Sequence, residues 1–148
     1  MKSRASNLPR AVLAVAMPTI VALVGVLLGC ATTQAMRSGP GVPASEGTVS
    51  TSAADNGNTN VTVRVEHLAP AWKVAADATV YVVWIQPRND PAAAWQSVGA
   101  MSLDDDLDGT LDTVTSQNRF LVMVTPEPNG QVELPSHEAV LTADVGPE

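Results

Sequence analysis

Cysteine, histidine and aromatic residues are scarce in this chain: one Cys, two His, one Tyr, one Phe and three Trp among 148 residues. A single cysteine excludes an intramolecular disulfide and a thiolate metal cluster. So few aromatics leave the core to Val, Leu and Ala. The sequence holds no G-x-S-x-G, no H-E-x-x-H, no G-x-G-x-x-G and no G-x-x-x-x-G-K-[ST], so the common hydrolase, zinc-protease and nucleotide signatures are missing. Basic residues are also few, eight against fifteen acids, for a formal charge of −7. Three of the eight, Lys2, Arg4 and Arg10, precede Cys30, where no acid occurs, so the remainder carries five basic and fifteen acidic groups, a net of −10. Such a surface repels phosphate backbones and argues against a nucleic-acid partner.

What is there begins at the amino end. Residues 11–28 read AVLAVAMPTIVALVGVLL, with basic residues before them and Gly29-Cys30 after them. A basic end, an apolar middle and a small residue at the cut make a secretory signal, whose basic end stays on the cytoplasmic side. Leu27-Leu28-Gly29-Cys30 resembles the bacterial lipobox. The resemblance implies a diacylglyceryl group on the Cys30 thiol, cleavage before Cys30, and acylation of the new amine, with palmitate among the fatty chains. An uncleaved membrane span is the alternative reading, since the apolar run is just long enough. Pro18 in its middle and a cysteine at its very end weigh against that. Ala31 stands where an aspartate would favour inner-membrane retention, which favours the outer membrane in a bacterium that has two. The expectation is an extracytoplasmic protein of the cell envelope, held to the membrane by lipid.

Residues 30–60 hold Gly, Pro, Ser, Thr, Ala and Asn with almost no large apolar side chain. That composition predicts a disordered, lipid-anchored tether with a reach of roughly 30 Å. Residues 47–52 are the one stretch that reads alternatively as an added edge strand.

From residue 61 the pattern changes. Val61, Val63 and Val65 alternate with Thr62, Arg64 and Glu66, the period of a half-buried strand. Residues 78–86 (ATVYVVWIQ) and 120–125 (FLVMVT) are apolar on both faces and read as central strands. Residues 98–103, 110–115 and 139–145 complete six strands, or seven, separated by Pro, Gly, Asp and Asn. Asp90-Pro91 opens one helical turn through residue 95. Short strands at this spacing predict an all-β fold, a small immunoglobulin-like β-sandwich over residues 61–148 that folds without the tether.

Tyr81-Val82-Val83-Trp84, Val98-Gly99-Ala100, the run from Val124 through Pro126-Glu127-Pro128-Asn129-Gly130, and Pro135-Ser136 make the domain resemble the extracytoplasmic carboxy-terminal domain of anti-sigma-K-type regulators. The resemblance covers about 70 residues and implies the outer domain's fold with a sensing or docking role. Those regulators carry a cytoplasmic sigma-binding domain before their membrane span. Here ten residues precede the apolar run, so no sigma-factor binding is expected.

Three groups of residues remain as candidates for chemistry. Asp104, Asp106, Asp108 and Asp112, with Gly109, follow the first nine positions of an EF-hand-type calcium loop. Thr115 occupies the twelfth position, where a bidentate acid belongs. The competing reading is a hairpin turn at Asp108-Gly109. His67 and His137 lie far apart in sequence and read as surface residues. Trp84 reads as core, and Trp72 and Trp95 as caps of the sandwich ends or anchors for a partner. The expectation is therefore a non-catalytic binding or structural module, with an envelope protein as partner and no cofactor beyond the lipid on Cys30. A calcium-binding module is the alternative, and a hydrolase the least favoured.

Overall fold

The computed structural model describes residues 30–146; the expected signal segment, residues 1–29, lies outside them. Among the described residues are nine strands and one short helix: β1 (Thr32–Ala35), β2 (Arg37–Ser38), β3 (Glu46–Ala53), β4 (Thr59–Glu66), α1 (Ala71–Val74), β5 (Val80–Pro87), β6 (Gln96–Met101), β7 (Gly109–Thr115), β8 (Phe120–Glu127) and β9 (Leu141–Val145). They form two antiparallel sheets, ordered β1-β3-β4-β7 and β2-β9-β8-β5-β6. The inner strands β3-β4-β7 and β9-β8-β5-β6 follow the order A-B-E and G-F-C-C′ of an immunoglobulin-like sandwich. All six expected strands are present within a few residues. Residues 90–95 make turns rather than a helical turn, and the one helix, α1, falls elsewhere.

Alternation explains the core between the sheets. Val61, Val63 and Val65 of β4 are at most 1% exposed. They face Tyr81, Val83 and Ile85 of β5 and Phe120, Val122 and Val124 of β8 in one apolar cluster. Each such side chain contributes roughly 1.5–3 kcal/mol by burial.

The expected tether is not one. Residues 32–38 and 46–53 are strands, and β3 pairs with β4 over eight residues, from Glu46↔Glu66 to Ala53↔Thr59. The composition argument failed because it asks whether a segment can build a core alone. A strand laid on an existing sheet borrows its partner's apolar face and needs few inward side chains of its own. Here these are Met36, Val42 and Val49, all buried in the common core. Met36 marks the point where the amino-terminal strand changes sheets, from β1 on β3 to β2 on β9. Gly47 lies beneath it: a Cβ there would stand 3.0 Å from the Met36 sulfur. Residues 61–148 thus share one core with this segment.

The outer face of the five-stranded sheet is also covered, which is why β5 is apolar on both sides. Val82 and Trp84 point away from the inter-sheet core yet have no exposed surface. Residues 128–140 cross over them as a lid, bringing Gly130 against Ala100 of β6. Residues 88–95 cover Gln86, whose amide donates to the carbonyl of Ala93 at 2.6 Å. Among the described residues no helix is long and apolar enough to cross a membrane.

Candidate functional site

The strand registers give the sandwich two unlike ends. At the near end, Cys30 is exposed and separated from β1 by Ala31 alone. It borders a cleft with Ser52, Gly57, Asn118 and Gly146, drawn from both sheets. The connections there, residues 54–58, 88–95 and 116–119, are short. At the far end lie residues 39–45, 102–108 and the two longest connections, 67–79 and 128–140. In immunoglobulin variable domains the B–C and F–G loops at this same end carry recognition.

A buried carboxylate organises the far end. Glu127, at the close of β8, has no exposed surface. Its Oε1 accepts from the Ser136 backbone N–H at 3.0 Å and from the Thr125 hydroxyl at 2.6 Å. Its Oε2 accepts from the Ser136 hydroxyl. The Thr125 oxygen in turn accepts from the Trp84 indole N–H at 2.8 Å. The two Ser136 donors fix the lid to the sheet, and the Thr125 hydroxyl holds the carboxylate from within β8. His137 extends the network: Nδ1 lies 3.0 Å from Ser136 Oγ, and Nε2 lies 3.0 Å from Asp77 Oδ1, in the 67–79 connection. The two long connections are thereby tied together. Serine, histidine and acid meet here, with the Ser136 hydroxyl within hydrogen-bond reach of both the Glu127 carboxylate and the imidazole. The group joins the lid to the sheet.

Sequence reading missed this network, although a signal for it was present. Thr125 and Glu127 share the outward face of a strand whose neighbour β5 is apolar on that face. A charged residue on a doubly covered sheet must find donors, and Ser136 follows nine residues later. Tyr81, Trp84, Glu127 and Ser136 are all held by such buried or half-buried bonds. The Tyr81 hydroxyl donates to the Ala69 carbonyl at 2.6 Å and so pins the 67–79 connection. Burial pushes the Tyr81 phenol up to about 12.

The aspartate run is a turn between β6 and β7. Asp104 Oδ1 accepts the backbone N–H groups of Asp106 and Asp108, both at 3.0 Å. Asp108 Oδ1 accepts the His67 N–H at 3.0 Å, and Asp112 Oδ1 the Thr62 hydroxyl at 2.5 Å. After Gly109 the chain enters β7 instead of wrapping back, which carries Asp112 roughly 10 Å along the strand. The four candidate ligands are therefore not brought together. Among the described residues no three His, Cys, Asp or Glu are grouped to hold a metal ion. His67 takes a positive φ of 54° beside the turn, with an exposed side chain.

The tryptophans differ. Trp84 is fully buried, Trp95 is half-buried beside Leu121 and Met123, and Trp72 on α1 is 61% exposed. No model of a known protein family matches this chain, and no curated protein sequence matches it either.

Proposed function

We propose that the chain is a lipid-anchored protein of the bacterial cell envelope whose sandwich is a non-catalytic binding module. In this reading residues 1–29 are removed, Cys30 carries acyl chains including palmitate, and the far end meets an envelope protein. The observation that carries it is the position of Cys30. The lipobox-like motif ends at an exposed residue two positions before β1 begins, at the end away from the long connections.

This placement changes what the anchor does. With Ala31 as the sole spacer, the domain stands on the membrane instead of drifting on a tether. Strands of about eight residues hold the far-end connections roughly 25–30 Å above the lipid. Two or more acyl chains, each buried methylene contributing about 0.8 kcal/mol, make the attachment stable. The outer membrane is favoured in a bacterium that has two. The likeness to anti-sigma outer domains supports a docking role for the same far end.

Replacing Cys30 with Ala tests the reading. Radiolabelled fatty acid should enter the wild-type chain and not Cys30→Ala, which should accumulate at full length. A lipid-bearing, shortened product from the variant would overturn it.

A further inference from the structure

The far end carries a cleft that the buried network does not use. It has a volume of about 280 Å³ and lies between the 67–79 and 102–108 connections. Its walls include Pro70, Trp72, Leu103 and Leu107, with Ser102 and Asp104 on one lip. Trp72 is 61% exposed, the largest apolar side chain left in solvent among the described residues. Leu107 adopts a positive φ of 67°, a conformation unfavourable for a residue with a Cβ, and its half-buried side chain lines the cleft. Beside it Asp104, Asp105 and Asp106 are exposed. Asp104 lines the cleft, and Asp105 and Asp106 follow it in the same exposed turn, on a chain segment of net charge −10.

A cleft of this size admits one aliphatic side chain of a larger partner. Charge decides the flanks of that side chain. Carboxylates around an apolar pocket favour cationic neighbours and repel acidic ones. The ring already shows the preference: the Lys73 ammonium stands 5.3 Å from the Trp72 ring centroid, a cation–π distance. Tryptophan is among the residue types enriched as anchors of protein interfaces.

We infer that this cleft docks a basic segment of a partner protein, an aliphatic side chain entering between Trp72 and Leu107 with Lys or Arg on either side facing Asp105 and Asp106. The inference deepens the binding-module reading and does not depend on the lipid. The test uses the full chain in mild detergent. The probe is a blocked Arg-Leu-Arg-Leu-Arg peptide, titrated by calorimetry against versions with Glu for Arg and with Ser for Leu. Only the first should bind, and added salt should weaken it. Trp72→Ala should weaken binding about tenfold or more, and Asp105→Asn with Asp106→Asn about threefold or more. Lys73→Met, which removes a like charge, should strengthen it. Equal binding of the Glu peptide, no effect of Trp72→Ala, or a neutral oligosaccharide binding where the peptide does not would each overturn the inference. Peptide binding that persists in Cys30→Ala while fatty-acid labelling already fails in the wild type would remove the anchor and leave the docking site standing.

Discussion

Replacing Glu127 with Ala should be among the most damaging single changes available. The carboxylate is wholly buried and receives the Ser136 N–H, the Ser136 hydroxyl and the Thr125 hydroxyl. Bonds to a charged acceptor contribute about 1.5–3 kcal/mol each, and a buried donor left without a partner costs about 1–3 kcal/mol. The two hydroxyls can rotate toward other acceptors; the Ser136 amide cannot. The loss should then come to about 3–5 kcal/mol, against a total of about 5–15 kcal/mol for a domain of this size. Glu127→Gln retains one acceptor oxygen but turns an NH₂ toward donors, and should lose about 1–3 kcal/mol. Denaturant unfolding followed by Trp fluorescence gives both numbers. Hydrogen exchange gives the local consequence: the Ser136 amide should lose protection before the strands do. An alanine variant within about 0.5 kcal/mol of the wild type, with Ser136 still protected, would refute the view that this carboxylate fastens the lid.

Further outcomes follow from the same geometry. A fragment of residues 61–148 should fail to melt cooperatively, because it lacks the buried Met36, Val42 and Val49, worth roughly 5–8 kcal/mol together; cooperative melting of that fragment would contradict the role given to β1–β3. Tyr81 is the only tyrosine, so the tyrosinate absorbance reports it alone and should rise with a midpoint of about 12 instead of 10. Because the folded value is raised, the stability linked to it is complete below pH 10 and is lost as pH climbs from 10 toward 12; Tyr81→Phe should remove that dependence. Calcium should move the melting temperature by no more than about a degree, since Asp104 and Asp108 are spent on backbone amides and Asp112 lies along β7. A rise that Asp106→Ala abolishes would restore the calcium reading.

The all-β architecture was legible because period-two alternation and Pro/Gly punctuation are local signals, and Val61, Val63 and Val65 display them plainly. β3 was harder to read. Thr and Ser occupy most of its outward positions, so only Gly47 and Val49 hint at an inner face. What holds it is its partner, which lies outside any sequence window. The lid was harder to read for a related reason. Its large apolar residues, Val132, Leu134 and Val140, show no regular period, and its place on the sheet depends on Glu127 meeting Ser136. The aspartate run shows the reverse error, in which spacing matched a metal loop while the chain after Gly109 continued as a strand. His137 and Asp77, sixty positions apart, could be joined only by folding.

The central claim is that Cys30 is the first residue of the mature chain and carries lipid at the near end of the sandwich. Mass spectrometry of the amino-terminal peptide, from protein extracted from membranes, tests it most directly. The account predicts a peptide that starts at Cys30 and bears a diacylglyceryl group on sulfur. A chain that retains residues 1–29, or an unmodified thiol at Cys30, would contradict it.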